Sequence, residues 1–228
     1  MFIRALLLVL PLMVTVVSAQ EPIAEPPVLQ PLPRFPAELT GAKAGDGEVV
    51  LAVTVDSEGR ALDMVALEAT HEAFARAATD AVREWIFQAR TSDTWPRREV
   101  LQFSFKRSGA VTTLSHREAA LEAFKGQTLA ALRTVPLEQL DHEPERLAAP
   151  MPLVPKSALR RHGGKPLMVN FVVDQEGRVR VPVLADVQDS ALAEPVLAAV
   201  RQWRYSPPTQ KGVPVAVEMT RALVLPEG

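Results

Sequence analysis

The apolar pattern over residues 47–55 is read as a period of two, with Val49, Leu51, Val53 and Val55 on one side. That spacing predicts a half-buried β-strand. Asp56-Ser57-Glu58-Gly59 follows as a turn, with Gly59 at the position that needs positive φ. Residues 61–67 pair back as a second strand. The period then changes, because Phe74, Ala78, Ala81, Val82 and Trp85 fall on one face of a helix. Alternation returns at 100–106, with Leu101, Phe103 and Phe105 in step. A short helix over 36–44, with Pro36 in its first turn, is expected to precede the set.

The same order then recurs. Asp174-Gln175-Glu176-Gly177-Arg178 repeats Asp56-Ser57-Glu58-Gly59-Arg60 at an offset of 118, and Trp203 repeats Trp85 at that offset. Leu167, Val169, Phe171 and Val173 stand where Val49, Leu51, Val53 and Val55 stood. The second set predicts a short helix over 155–161 ended by Gly163-Gly164, and strands over 167–173 and 179–184. A long helix carries Leu192, Val196, Ala199, Val200 and Trp203 on one face, and the last strand spans 213–219. Pro195 is expected in the first turn of that helix, because a proline deeper in costs about 3 kcal/mol. A chain with one small domain in two copies suggests two binding surfaces rather than one catalytic pocket.

The remaining segments connect. Residues 21–36 are dense in proline, which predicts an extended run of about 3.1 Å per residue and on the order of 50 Å in reach. Ser115 and Glu118 form a capping box for a connector helix with Leu121, Phe124, Leu129 and Leu132 as its apolar stripe. Pro136, Pro144, Pro150 and Pro152 mark a linker after it. At the N-terminus, Arg4, an apolar run over 5–17 and Val17-Ser18-Ala19 before Gln20 read as a secretory signal peptide. An uncleaved membrane anchor is the alternative, although the apolar run holds Pro11 and is shorter than the roughly 20 residues a span takes. The expected organisation is a signal peptide at 1–19, a proline-rich extended segment at 20–32, a first domain at 33–107, a helical connector and linker at 108–150, and a second domain at 151–228.

Composition narrows the function. Net charge is −2, which gives no argument for nucleic acid or an anionic membrane surface. The chain has no cysteine, so disulfides, thiolate chemistry and a lipid anchor on an N-terminal cysteine are excluded. His71-Glu72 and His142-Glu143 each open an H-E-x-x-H pattern, but Ala75 and Arg146 stand where the second histidine is needed, so no metal site is expected. The histidines read as solvated surface residues. Asp56-Ser57-Glu58-Gly59 is not a calcium loop, because Leu67 occupies the position of the bidentate glutamate. No nucleophile elbow, phosphate loop or dinucleotide fingerprint is present, so no enzyme, catalytic residue or cofactor is expected. Gly59, Gly177, Trp85 and Trp203 are assigned to structure, the tryptophans as core residues of their helices. Arg160, Arg161, His162, Arg178 and Arg180 make the second copy locally basic, either as a solvated face or as a contact for an acidic partner segment or cell-wall polymer.

In the second copy the run Asp174-x-x-Gly177-Arg178-Val179, the block Ala199-Val200-Arg201-x-Trp203-Arg204-Tyr205-x-Pro207 and Gly212-x-Pro214-Val215 closely resemble the C-terminal domain of TonB-type energy transducers. The first copy is a degenerate version, with Ile86-Phe87 in place of Arg204-Tyr205. The resemblance implies an α+β fold of two such domains, each a three-stranded antiparallel sheet packed with a short and a long helix. It implies a periplasmic, non-enzymatic module that captures an extended peptide of an envelope protein or outer-membrane transporter by strand addition. The last strand of the second copy, through Val213, Val215, Ala216, Val217 and Met219, is the expected peptide-binding edge, since a free edge offers unpaired backbone groups. Two other readings stand beside it: an energy transducer supporting outer-membrane transport from an uncleaved, inner-membrane anchor, and a self-associating (homodimeric) or cell-wall scaffold whose repeats pair their own edges.

Overall fold

The computed structural model describes residues 26–40, 45–89, 96–109, 111–114, 134–185, 187 and 189–227. The expected signal peptide and the connector helix from Ser115 to Leu132 lie outside the described residues. Among those described, no helix is long and apolar enough to cross a membrane.

The first copy opens on a 3-10 turn, Ala37–Leu39, and continues with β1 (Gly47–Val55), β2 (Ala61–Ala69), α1 (Glu72–Val82), β3 (Arg97–Phe105) and β4 (Val111–Leu114). The connector contributes β5 (Thr134–Val135), a second 3-10 turn at Leu137–Gln139, and β6 (Arg146–Ala148). The second copy holds α2 (Lys156–His162), β7 (Pro166–Val173), β8 (Val179–Leu184), α3 (Ser190–Val200), β9 (Arg204–Tyr205), β10 (Thr209–Gln210), β11 (Val213–Pro214) and β12 (Ala216–Val224). The α+β class holds in both copies. Each has the expected three antiparallel strands, β2-β1-β3 and β12-β7-β8, and each sheet gains a fourth strand on the outer side of its last one. In the first copy that strand is β4, antiparallel to β3, and in the second it is β5, parallel to β12.

Several boundaries differ from the sequence reading, each for a local reason. The last strand starts at Ala216, not at 213. Lys211 and Gly212 both have positive φ and close a two-residue hairpin between β10 and β11, so Val213 and Pro214 are spent on that hairpin. The Asp141 carboxylate accepts from the backbone N–H groups of Lys211 (2.7 Å) and Gly212 (2.8 Å), which fixes the turn. Pro195 lies inside α3 rather than in its first turn. The start of the helix is set instead by Asp189, whose side chain accepts from Ala191 N–H at 3.1 Å. His71 is not merely a solvated histidine, because its Nδ1 caps α1 by accepting from Ala73 N–H at 3.1 Å.

Each copy buries its own core. Val49, Leu51, Val53 and Val55 pack with Phe74, Ala78, Val82, Trp85, Phe103 and Phe105 in the first. Val169, Phe171 and Val173 pack with Leu192, Val196, Val200, Trp203, Val217 and Met219 in the second. A third cluster joins the copies: Val50, Ala52 and Leu67 meet Val172, Val181 and Ala216. This changes the expectation for β1. The strand is buried on both faces, with Val50, Ala52 and Thr54 as inaccessible as Val49 and Leu51. The linker therefore does not leave the copies independent, and they meet by the faces of their sheets rather than by their edges.

Polar contacts pin this junction. Asp63 of β2 accepts from Arg180 Nη2 and from Val181 N–H, both at 2.7 Å. Arg98 of β3 reaches back to the Val181 carbonyl and to Glu218, again at 2.7 Å each. Val181 itself has φ +43, a left-handed conformation that a β-branched residue adopts only under constraint. It is followed by Pro182 beside an irregularity in the β7–β8 ladder, and both of its backbone groups are held by the other copy. Val55 pairs with Arg97 and its repeat, Val173, pairs with Val217, so Arg98 and Glu218 occupy equivalent places. Asp63 and Val181 are equivalent at the offset of 118. An interface joining equivalent positions is the arrangement of a two-fold dimer, here within one chain.

Candidate functional site

The repeated motifs meet in space, which explains why they recur together. In the first turn Asp56 Oδ1 accepts from the N–H groups of Glu58 and Arg60, and in the second Asp174 Oδ1 accepts from those of Glu176 and Arg178. The turn carbonyls of Gly59 and Gly177 then accept from Phe87 and Tyr205 N–H, each at 2.8 Å. The approach is close enough that a Cβ on Gly59 would lie 2.1 Å from the Phe87 oxygen, and one on Gly177 2.0 Å from the Tyr205 oxygen. Both glycines have positive φ.

The tryptophan just before each docking residue holds a strap. Trp85 Nε1 donates to the Pro31 carbonyl at 2.9 Å and Trp203 Nε1 to the Pro150 carbonyl at 3.3 Å. Leu29 pairs with Ile86 in the first copy as β6 pairs with β9 in the second. The proline-rich stretch is thus tied to its domain over residues 26–31 instead of extending free, and the repeated unit reaches further upstream than its motifs. Sequence reasoning missed this because the acceptors are backbone carbonyls. Trp85 and Trp203 are both buried, and the Arg146 guanidinium lies 5.9 Å from the centre of the Trp203 ring. Burial pushes the Tyr205 phenol up from its usual value, against the opposing effect of Arg221 and Arg146.

The five residues expected to form a peptide-binding edge are not equivalent. Val213 lies in β11 and is exposed, and Val215 is a buried link whose N–H donates to the Pro208 carbonyl at 3.0 Å. Ala216 and Val217 begin β12, and their outer side is already taken by Thr134 and Val135 of β5. Met219 and Val217 turn their side chains into the core. Beyond Val217, the outer side of β12 has no strand partner among the described residues. The stretch of β12 without a strand partner among the described residues therefore runs over 218–224, displaced toward the C-terminus from the expected segment, and the connector turn at Leu137–Gln139 packs against β12. Its exposed side chains are Glu218, Thr220, Ala222 and Val224, and Arg221 is ion-paired with Glu143 of the connector.

The basic residues of the second copy divide between different carboxylates. Arg161 and His162 of α2 both contact Asp189, at 2.6 and 3.1 Å. The Arg161 hydrogen bond, ahead of His162 and the Ala191 N–H, holds the Asp189 carboxyl below the usual carboxylate range despite some desolvation. Arg178 pairs with Asp174 and Glu176, and Arg180 with Asp63. Among the described residues no group of three or more metal-ligating side chains comes together.

Each copy is a two-layer α+β unit, and β12 lacks a strand partner beyond Val217 among the described residues. Comparison with protein families gives the class: the family described as Gram-negative bacterial TonB protein C-terminal matches residues 31–107 and again residues 152–224. These matches span more than half of the chain, which belongs to this family and carries its domain in tandem. The family comprises envelope-associated, non-enzymatic interaction domains of energy transducers. Comparison with curated proteins and with solved structures returned no match.

Proposed function

We propose that this chain is a periplasmic peptide-capture protein, and that the outer edge of β12 over 218–224 receives an extended segment of an envelope protein or outer-membrane transporter. The observation that carries the reading is the pairing of β5 with Ala216 and Val217. A segment of the chain already adds to this edge by main-chain bonding, and the edge continues past it for seven residues without a strand partner among the described residues. Strand addition draws its affinity from backbone hydrogen bonds and its selectivity from alternate side chains. Here those would be Glu218, Thr220, Ala222 and Val224 on one face.

Photo-crosslinking tests it. A crosslinker placed at Ala222 of the full chain, mixed with a Gram-negative envelope extract, is expected to label one extended segment of a partner. Adjacent residues of a strand point their N–H groups to opposite sides, so of Thr220→Pro and Arg221→Pro one removes an outward donor. That variant should stay folded by circular dichroism and lose the crosslink. Retention of the crosslink in both folded variants would rule out strand addition at this edge.

A further inference from the structure

We propose that the cleft between the two copies is a binding site for an acidic peptide, selected by two arginines of the second copy that have no carboxylate partner among the described residues. The pocket has a volume of about 430 Å³ and is lined by Leu62 and Asp63 from the first copy and by Arg178, Arg180, Arg201 and Arg204 from the second. It exists only because the copies dock. The proposal does not depend on strand addition at β12.

The charges in this wall are unequally matched. Arg178 is neutralised by Asp174 at 2.9 Å and Glu176 at 2.7 Å, and Arg180 by Asp63 at 2.7 Å. Arg204 reaches only main-chain carbonyls among the described residues, those of Trp203 at 2.9 Å and Arg201 at 3.3 Å. Arg201 has Nε and Nη2 buried with no hydrogen-bond partner among the described residues. Buried donors are normally satisfied, and an ionised one left without an acceptor is costly, so such a group marks a place where an acceptor belongs.

The repeat shows how the imbalance arose. The counterparts of Arg178, Arg180, Arg201 and Arg204 in the first copy are Arg60, Leu62, Arg83 and Ile86. There both arginines are matched, Arg60 by Glu58 at 2.8 Å and Arg83 by Asp80 at 2.6 Å. In the second copy Ala198 stands where Asp80 stood, which releases Arg201, and Arg204 replaces Ile86. The first difference removes a negative charge and the second adds a positive one, so both make the same wall more positive.

The wall already accepts carboxylates. Asp63 sits on Arg180 and on the Val181 N–H, and Asp174 sits on Arg178. A planar guanidinium fork matches a carboxylate in two-point geometry. Leu62, 41% exposed in the lining, adds an apolar contact that an acidic side chain next to an aliphatic one would cover. These features favour a Glu-Leu-Glu type of segment over a bare phosphate.

The test uses the full chain and a fluorescein-labelled Glu-Leu-Glu peptide, with Gln-Leu-Gln as its neutral analogue, read by fluorescence anisotropy. The acidic peptide is expected to bind at least tenfold more tightly than the neutral one, with affinity falling as salt rises. Arg204→Gln should weaken it about tenfold. Ala198→Asp, an exposed substitution that restores the pairing of the first copy and keeps every arginine, should weaken it similarly. Arg160→Gln on α2 should leave it unchanged. Equal affinity for the two peptides, or unchanged binding in both Ala198→Asp and Arg204→Gln, would overturn the site. A rise in melting temperature with pyrophosphate but not with Glu-Leu-Glu would overturn the assignment to peptide.

Discussion

Gly177 combines a left-handed backbone with a Cβ position 2.0 Å from the Tyr205 carbonyl oxygen. No rotamer relieves that contact, because the backbone fixes the Cβ position and its neighbour is a main-chain oxygen. Gly177→Ala is expected to destabilise the protein by about 2–4 kcal/mol, from strain at positive φ and weakening of the bond between Gly177 and Tyr205. Gly109 is the control: it is also at positive φ, but a Cβ there would meet nothing within 4 Å, so it should lose only its conformational share. Urea denaturation of the two variants checks this, and equal losses would show that the packing is irrelevant. At this scale the sequence was informative wherever side chains make the structure. The turn Asp56 to Arg60, its repeat at Asp174 to Arg178, and the two tryptophans were all legible, because an aspartate, a glycine and an indole each have a specific use there. The strap at Pro31 and Pro150 was not, since any residue supplies a carbonyl.

Among the elements, α3 offers the sharpest test. Pro195 is the sixth residue of the helix, beyond the first turn where proline is free of cost. Its ring removes one backbone donor from the helix. Pro195→Ala is expected to stabilise the second copy by about 1–3 kcal/mol, measured as a raised denaturation midpoint. A neutral or lowered midpoint would mean that the proline's packing offsets the missing bond. The three main strands and the long helix of each copy followed from periodicity, but both helices stop short of Trp85 and Trp203, at Val82 and Val200, and of the short helix expected over 36–44 the described residues show a 3-10 turn at Ala37–Leu39. The shift of β12 from 213 to 216 did not follow from periodicity, because Lys211-Gly212 had to be recognised as a hairpin turn in a stretch that alternates well enough to pass for strand. The double-sided burial of β1 did leave a trace. Val49-Val50-Leu51-Ala52-Val53 is an unbroken apolar run, the signature of a strand covered on both faces rather than one.

For the whole molecule, the junction at Asp63 decides whether two domains behave as one. Asp63→Ala takes the closest carboxylate from Arg180, which keeps the Met64 carbonyl and the more distant Asp174, and leaves the Val181 N–H without its acceptor, removing one of the two restraints on Val181. The site is partly accessible, so a loss of about 1–3 kcal/mol is expected. The diagnostic is where the loss appears. Hydrogen exchange should accelerate in β1 and β2 of the first copy and in β7 and β8 of the second together. Acceleration confined to one copy would show that the sheets fold separately. No repeat offset encodes how two copies dock, so this arrangement was the least legible from sequence, where the prolines mark only a linker between them.

The pairing of Arg98 with Glu218 has a consequence for how many molecules take part. In a dimer of identical chains, a residue at the two-fold axis meets itself, and two arginines or two glutamates at that place would repel. By carrying both halves on one chain, the protein is free to make them unlike, and the halves have become complementary instead of self-matching. An arginine facing a glutamate there attracts where a like pair would repel, so this contact matches each half to the other. The face is satisfied within one chain, with no second molecule needed to complete it.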